Sequence, residues 1–179
     1  MLEKYYPYEY VPSVFAIDYE KLYAQGIRGL IFDLDNTLVH HGAPSTPEVD
    51  GLFARLHQLG FQTLILSDNS EERILDFLKN IDSPYVAEAG KPDPAACRKS
   101  LEMLNLKADQ AVVIGDQIFK DIVCANGAGI PSILVHYITV PGQKIGKTRY
   151  VEAALLKLFQ NGRYDHRLGH IRLKKGEQA

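Results

Sequence analysis

The chain has 179 residues, a net charge of −2 and 46% hydrophobic residues, which favour one folded domain and exclude disordered, collagen-like and coiled-coil chains. No apolar run approaches the roughly 18 residues that a membrane-spanning helix needs. Two cysteines without a C-x-x-C spacing, and a start without a basic and apolar leader, predict a cytoplasmic protein.

Short apolar strands alternate with helical segments along the chain. Thr46, Pro47 and Gly60 are typical of the N-cap, the first position and the end of a helix. Asn69, followed three residues later by Glu72, predicts the start of the next helix. In chain order the predicted elements are strand 29–33, helix 47–59, strand 63–66, helix 70–78, strand 85–87, helix 94–104, strand 111–114, helix 118–126, strand 132–135 and helix 151–159.

These elements predict an α/β fold, a doubly wound three-layer sandwich with a mainly parallel, five-stranded sheet. The continuous apolar runs are typical of parallel strands that helices cover on both faces. We expect this core to span residues 24–140, with residues 1–23 packed on it as an N-terminal extension and residues 141–179 forming a basic helix and tail. Sheets of this kind bind ligands beyond the carboxyl ends of their strands.

Polar clusters follow the predicted strands at that edge. Several carboxylates that meet beside one lysine repel each other strongly, so we expect a cation among them. Carboxylate oxygens suit Mg²⁺, which keeps several waters and bridges to phosphate. The clusters are Asp33-Leu34-Asp35-Asn36-Thr37, Ser67-Asp68-Asn69, Gly90-Lys91-Pro92 and Gly115-Asp116-Gln117 with Asp121.

These groups suit phosphoryl transfer. A fixed carboxylate attacks phosphorus and forms an acyl-phosphate, which divides one hydrolysis into two easier steps. A second carboxyl two residues later protonates the leaving oxygen and then deprotonates the attacking water. A serine hydroxyl, backbone N–H groups and a lysine ammonium hold the phosphoryl oxygens.

The first two clusters resemble the first two motifs of the haloacid dehalogenase (HAD) phosphatase superfamily. The first matches as DLDNT, which implies Asp33 as the nucleophile and Asp35 as the acid/base. Thr37 is then implied to support the loop in the phosphate-binding group. The second motif implies that Ser67 binds phosphate and that Asn69 assists there or orients the substrate.

The other two clusters complete the resemblance, which covers roughly residues 24–136. Lys91 is implied to neutralise the phosphoryl group and to tie the acidic loops together. The fourth motif, GDQ-x-x-x-D, implies Asp116 as a direct metal ligand and Asp121 as a ligand through water or a partner of Lys91. The four motifs in order predict a Mg²⁺-dependent phosphomonoester hydrolase that acts through a phosphoaspartate. The implied Mg²⁺ ligands are Asp33, Asp35 through its carbonyl, Asp116 and Asp121.

At finer grain the chain resembles the YqeG family of HAD subfamily IIIA. The matching features are the P-x-E-Y-V-x-S-x-F pattern from Pro7 to Phe15, the form DLDNTLV and the GDQ-x-x-x-D motif. That family is similar to the mitochondrial phosphatidylglycerophosphate phosphatases. The resemblance implies a phosphorylated lipid headgroup as the substrate.

The spacing of the motifs predicts that the fold has no cap domain. The 29 residues between Thr37 and Ser67, and the 21 between Asn69 and Lys91, are used up by loop, helix and strand. An uncovered site suits a large substrate whose own bulk excludes water, or an oligomer in which a neighbour closes the site.

Other interpretations of the motifs remain open. An Asp-x-Asp pair also occurs in nucleotide-sugar transferases, and a strand-end Asp is phosphorylated in receiver domains, which lack the second acid. A degenerate HAD chain would keep the fold without the activity. The alternative function is a regulatory or binding protein that uses a HAD fold to hold a partner.

Charge is unevenly distributed along the chain. Residues 141–179 carry nine Lys and Arg against three Asp and Glu, a net of +6, so residues 1–140 carry −8. This tail predicts peripheral contact with an anionic membrane, and we do not expect nucleic acid as the partner. Leu155, Leu158 and Phe159 would add shallow apolar insertion, or would only close the last helix onto the sheet. The alternative is a solvated helix with a frayed end.

Overall fold

The computed structural model describes residues 2–140, 142, 146–160 and 166–173. Its strands form one sheet in the order β1-β6-β5-β2-β3-β4, and every neighbouring pair is parallel. The predicted α/β class and parallel sheet are confirmed. The strands are β1 (Glu9–Val11), β2 (Gly29–Phe32), β3 (Gln62–Leu66), β4 (Tyr85–Val86), β5 (Ala111–Gly115) and β6 (Ser132–Val135).

The prediction of five strands is wrong, because the N-terminal extension supplies a sixth. β1 pairs in parallel with β6, with Glu9 opposite Ile133, and Tyr8 N donates to Ser132 O at 2.8 Å. Three residues that include a carboxylate lack the continuous apolar run that predicted the other strands. Glu9 is nevertheless buried, and its carboxylate pairs with His166 from the far end of the chain. The formation of β1 therefore depends on tertiary contacts and not on the local sequence.

Alternate side chains of the central strands enter hydrophobic cores on opposite faces of the sheet. Leu30 and Phe32 of β2 belong to one core, whereas Ile31 belongs to the other. β5 alternates in the same way, with Val112 in the first core and Val113 in the second. Covering both faces requires apolar side chains at every position, which explains the uninterrupted runs in the sequence.

Helices cover both faces, and their N-terminal residues fix where each begins. Thr46 caps one helix as predicted, since its hydroxyl accepts from Val49 N at 3.4 Å. The predicted cap Asn69 is wrong, because Ser70 takes that position and accepts from Arg73 N. The helices are α1 (Tyr19–Ala24), α2 (Pro47–Gln58), α3 (Glu71–Phe77), α4 (Pro94–Leu104), α5 (Val123–Gly127) and α6 (Lys147–Gln160), and a π-helical turn, Ile118–Ile122, leads into α5.

The chain between β2 and α4 is described without a gap and contains no inserted domain. Only loops, α2, β3, α3, a 3₁₀ turn and β4 lie there, so the described residues include no cap over the carboxyl edge of the sheet. In the described part of the chain, every helix is too short or too polar to span a bilayer.

The C-terminal segment returns to the N-terminal extension. Asp18 N donates to Ile171 O at 2.6 Å, and Leu173 N donates to Ala16 O at 2.9 Å. Ile171 is fully buried, so residues 166–173 are packed rather than frayed. Four of the predicted tail cations lie outside the described residues, namely Lys144, Arg163, Lys174 and Lys175.

The apolar residues of α6 divide between the core and the surface. Leu155 packs against the cluster of Ile118 and Leu134, whereas Leu158 is 53% exposed. The side chain of Phe159 lies outside the described residues. One face of α6 therefore closes onto the sheet, as the second of the two predictions for this helix proposed.

Candidate active site

β2 ends at the point where the strand order reverses, and Asp33 follows it directly. Asp33 N donates to Ile114 O at 2.9 Å, so the ladder with β5 continues through this residue and fixes its backbone. The loop then turns sharply at Asn36, whose φ of 66° lies in the left-handed region that Asn tolerates. The turn brings Thr37 back under the strand end, where its hydroxyl lies 2.9 Å from Asp33 Oδ2.

Lys91 links the acidic loops that follow β2 and β5. Its ammonium lies 2.6 Å from Asp33 Oδ1, 2.7 Å from Asp121 Oδ1 and 3.1 Å from Leu66 O. Burial by itself lowers the pKa of this lysine, but the charges of Asp121 and Asp33 outweigh it and raise the pKa above its usual value. Lys91 is therefore a permanent cation with three acceptors around it.

Asp116, directly after β5, carries a strongly perturbed carboxyl. Burial, together with the charges of Asp33 and Asp121, raises its pKa to about 8. Thr37 Oγ1 lies 3.1 Å from Asp116 Oδ1 as well as 2.9 Å from Asp33 Oδ2. One hydroxyl proton serves only one acceptor, so both contacts are satisfied together when Asp116 is protonated and donates. Both the pKa and the geometry indicate an excess of negative charge.

Asp121 reaches the cluster because β5 ends in a glycine. A Cβ on Gly115 would lie 2.4 Å from Asp121 Cγ, so only glycine leaves room for that carboxylate. Gln117 N donates to Asp121 Oδ2 at 2.9 Å and closes the π-helical turn. The four-residue gap of the GDQ-x-x-x-D motif thus places both of its carboxylates in one buried cluster with Asp33.

Ser67 and Asn69 follow β3 and face the loop after β2. The Asn69 amide donates to Ser67 Oγ at 2.8 Å and to Asp35 Oδ2 at 3.1 Å. Ser67 is 1% exposed, whereas Asp35 is partly exposed at the mouth of the site. The structure therefore brings together all eight residues that the sequence analysis placed at the site.

Sequence reasoning missed Arg73, in the first turn of α3. Its Nη2 donates to Asp35 Oδ1 at 2.9 Å and to Ala43 O at 2.7 Å. Its Nε and Nη1 atoms are buried and have no hydrogen-bond partner among the described residues. His41 Nδ1 lies 2.8 Å from Asp35 Oδ2, although that imidazole is mostly exposed. The position of Arg73 four residues after Asn69, one helical turn above a polar strand end, is the pattern that would have indicated it.

Arg149, at the start of α6, is a second missed residue. Its Nη1 donates to Asp116 O at 2.6 Å, its Nη2 pairs with the Asp116 carboxylate, and its guanidinium covers the Tyr137 ring at 4.7 Å. Glu152, also on α6, is buried and lies 3.3 Å from Arg149 Nη1. No local pattern could have indicated this contact, because α6 is 33 residues from Asp116 and its charges are typical of a solvated face.

Asp68 is a third missed residue and acts on Lys91 through the backbone. Its Oδ1 accepts from Lys91 N at 3.0 Å, while its Oδ2 lies 2.8 Å from Lys120 Nζ. These hydrogen bonds, and the nearby charges of the two lysines, lower the pKa of Asp68 despite its partial burial. The carboxylate between Ser67 and Asn69 thus holds the loop that presents the lysine.

The donor set fits a hard divalent cation. Asp33, Asp116 and Asp121 are all buried, and one carboxylate oxygen of each lies within 4.8 Å of the others. Clustered carboxylate oxygens suit Mg²⁺ rather than a soft metal. The side chain of Asp35 turns away from this cluster toward Asn69 and Arg73, so its own carboxylate is not part of the set.

Comparisons with known proteins agree with this geometry. The HAD-hydrolase-like family model matches residues 88–137. "Probable phosphatase YqeG" of Bacillus subtilis is 34% identical over 174 residues, which cover 96% of this chain and 98% of that protein. The chain belongs to the YqeG family of HAD-type phosphatases. The predicted resemblance is confirmed, and the chain is a phosphatase.

Two further matches are more distant. The chloroplastic phosphatidylglycerophosphate phosphatase 1 of Chlamydomonas reinhardtii is 26% identical over 155 residues, covering 78% of this YqeG-family chain and 56% of that protein. An uncharacterized protein from Listeria monocytogenes superposes with a TM-score of 0.51 at 23% identity, over 75% of this chain and 99% of that one. The second match supports the fold alone.

Proposed function

We propose that this YqeG-family phosphatase is a Mg²⁺-dependent phosphomonoester hydrolase that works through a phosphoaspartate on Asp33. The observation that carries the proposal is the setting of Asp33. It lies at the switch point of the sheet, with one carboxylate oxygen held by Lys91 and the other by Thr37. A carboxylate fixed in this way presents an oxygen in a constant direction, which a nucleophile requires.

The residues present divide the reaction between them. A carboxylate oxygen of Asp33 bonds to phosphorus as the ester bond breaks, and protonated Asp35 gives its proton to the leaving oxygen. Asp35 then takes a proton from the water that attacks the phosphoaspartate, which restores Asp33 and releases inorganic phosphate. Ser67 donates to a phosphoryl oxygen, and the positive charge of Lys91 offsets the charge of the phosphoryl group.

Mg²⁺ would be held by Asp33 and Asp116, by Asp121 directly or through water, and by the carbonyl of Asp35. When bound, it offsets the repulsion between an anionic nucleophile and an anionic phosphoryl group. The raised pKa of Asp116 supports this proposal, because it shows that Lys91 and Arg149 do not fully offset the negative charge of the clustered carboxylates.

Hydrolysis of p-nitrophenyl phosphate tests the nucleophile and the metal. We expect turnover with Mg²⁺, none with EDTA, and none in Asp33→Asn, because an amide forms no acyl-phosphate. The matched control is Asp109→Asn, an exposed acid on the turn before β5, which should keep wild-type turnover. Turnover in Asp33→Asn would refute the covalent step, and a wild-type chain that hydrolyses no phosphate ester would favour a binding or regulatory role.

Asp35→Asn tests the acid/base role in a separate way. Nitrophenolate leaves without a proton, so the first step should proceed and the second should slow by roughly 10²–10⁴-fold. A stopped-flow trace should therefore show a burst of about one nitrophenolate per chain, followed by slow turnover, and acid quenching should trap phosphate on Asp33. A steady-state trace without a burst and without trapped phosphate would contradict this role.

The proposed physiological substrate is a phosphorylated lipid headgroup such as phosphatidylglycerophosphate. Two observations support it: the carboxyl edge of the sheet has no cap in the described residues, and one relative is named for that substrate. Phosphate release from phosphatidylglycerophosphate in mixed micelles should exceed release from glycerol 3-phosphate in kcat/KM. Equal or lower values would remove the lipid from the proposal and leave the phosphatase.

A peripheral contact with an anionic membrane completes the proposal. Lys157, Arg167 and Arg172 are exposed, although Arg167 also covers the Tyr8 ring at 3.6 Å, whereas Arg149 points into the site. Each cation near the surface adds about 1 kcal/mol to binding of anionic lipid. Co-sedimentation with phosphatidylglycerol vesicles should fall with salt and weaken in a Lys157→Gln/Arg172→Gln double variant. Vesicle binding that neither salt nor the variant changes would contradict it.

A further inference from the structure

A cavity of about 270 Å³ lies between the end of β6 and α6, beside the proposed reaction centre. Ile118, Leu134 and Leu156 form apolar walls, and Asp116 and Arg149 form the inner end. Its size suits a small organic group rather than a single water. The mechanism proposed above uses none of its apolar walls.

The inner end of the cavity connects with the nucleophile through two side chains. Arg149 contacts the Asp116 carboxylate, and the other oxygen of that carboxylate lies 3.1 Å from Thr37, which contacts Asp33. The ligand oxygens of Asp33 and Asp116 lie within 4.8 Å of each other. Asp116 therefore belongs both to the inner end of the cavity and to the carboxylate cluster around the nucleophile.

Arg149 marks the boundary between the reaction centre and the cavity. A guanidinium carries five N–H donors, and three hydrogen bonds hold this one, to the Asp116 carbonyl, the Asp116 carboxylate and Glu152. Glu152 is itself fixed, since its Oε1 accepts from Phe119 N at 3.1 Å. The guanidinium is thus held in place while donors remain for a substrate oxygen.

Lys157 adds one positive charge at the outer rim. Among the described residues of the lining, the acids are Asp116 and Glu152, and Arg149 already pairs with both. A group that fits has apolar carbon surface against the walls and a negative charge near the rim.

We propose that this cavity is the leaving-group subsite, which binds the organic part of the phosphomonoester and selects an alcohol that carries a second anionic group. The inference rests on the proposed phosphatase function and names the substrate class for it. A free metabolite and a lipid headgroup share this chemistry, so the probes below isolate the organic group itself.

Two neighbouring alanines on α6 provide a matched test of the location. Both are exposed, so both accept a phenylalanine at similar cost to the helix, but Ala153 lines the cavity and Ala154 does not. In Ala153→Phe, kcat/KM for p-nitrophenyl phosphate should fall at least about 10-fold more than kcat/KM for acetyl phosphate, whose leaving group is much smaller. Ala154→Phe should have the wild-type kcat/KM for both substrates.

The charge preference needs a pair of substrates with one carbon skeleton. 3-Phosphoglycerate differs from glycerol 3-phosphate by a carboxylate, so the wild type should have the higher kcat/KM for 3-phosphoglycerate. Lys157→Gln should reduce that ratio at least about 3-fold, mainly through KM, and Lys147→Gln, an exposed cation outside the lining, should not.

The outcomes separate this inference from the proposed function. A wild type that hydrolyses none of these esters refutes the phosphatase proposal. If the wild type hydrolyses them and Ala153→Phe lowers kcat/KM equally for p-nitrophenyl phosphate and acetyl phosphate, or for neither, the subsite alone is overturned. A preference for glycerol 3-phosphate, or a ratio that Lys157→Gln leaves unchanged, overturns the anionic selectivity. Circular dichroism melting of each variant confirms that it is folded.

Discussion

Replacing Lys91 with methionine removes the cation that holds the acidic loops together. Its side chain is 3% exposed and lies 2.6 Å from Asp33 and 2.7 Å from Asp121. Breaking a buried ion pair by removing one partner costs about 3–5 kcal/mol, because the remaining charge is buried without compensation. For a chain of this size we expect the melting temperature to fall by roughly 6–20 °C. Lys120→Met is the control, since Lys120 is 43% exposed and pairs with a partly exposed Asp68, and it should change stability by at most about 1 kcal/mol.

A second substitution, Asp121→Asn, should change stability in opposite directions in the wild type and in Lys91→Met. In the wild type, Asp121→Asn removes a partner of Lys91 and should destabilise the protein. In the Lys91→Met background, the same change removes an uncompensated buried carboxylate, so it should stabilise the protein. Urea unfolding of the four chains, in EDTA at pH 7, measures this coupling as a double-mutant cycle. Asp121→Asn with the same sign in both backgrounds would refute the electrostatic reasoning.

Three further predictions concern the same site. Because the pKa of Asp116 is raised to about 8, Mg²⁺ affinity measured by calorimetry should rise from pH 6 to pH 9. The metal-free protein should lose stability from about pH 4 to pH 8, since over this range the folded state holds a proton that the unfolded chain has released. A flat pH profile of either quantity contradicts its prediction. Gly115→Ala should destabilise the fold by about 1–3 kcal/mol and weaken Mg²⁺ binding, because its Cβ would overlap Asp121, whereas Gly51→Ala, with open space around its Cβ, should do neither. Arg73→Met should slow formation of the phosphoaspartate from an alkyl phosphate roughly 10–100-fold in single-turnover experiments, and should slow the same step with p-nitrophenyl phosphate much less, since Arg73 positions the proposed acid. An equal loss of this step on both substrates would mean that Arg73 serves the fold instead.

The parts of the fold that local chemistry determines could be predicted from the sequence. Thr46 and Pro47 fix the start of α2 whatever surrounds them, and the apolar runs at β2 and β5 need cover on both faces. The carboxyl ends of those strands then must meet, so the two acidic motifs had to come together. The strand at Glu9–Val11 could not be predicted, because a half-polar triplet forms a strand only when β6 lies beside it.

The missed residues of the site differ in how far they are from it along the chain. Arg73 is one helical turn from Asn69 and follows from helix geometry once the start of α3 is known. Asp68 lies inside a motif, but its role depends on which loop comes near it across the sheet. Arg149 depends on the packing of α6, which no local pattern in the sequence determines.

The position of Arg149 also changes how the charge asymmetry of the chain should be understood. A body with a net charge of −8 and a tail of +6 predicts an external anionic partner when each is considered alone. In the structure, α6 places one of those cations against Asp116, so part of the tail's charge offsets the acids of the site. Arg167 contacts the Tyr8 ring and the backbone of Tyr6, which carry no charge, and it stays exposed. Membrane attraction therefore depends on the exposed cations alone, and substitutions that include Arg149 would weaken the site and the surface together. For that reason the vesicle experiment changes Lys157 and Arg172 and leaves Arg149 in place.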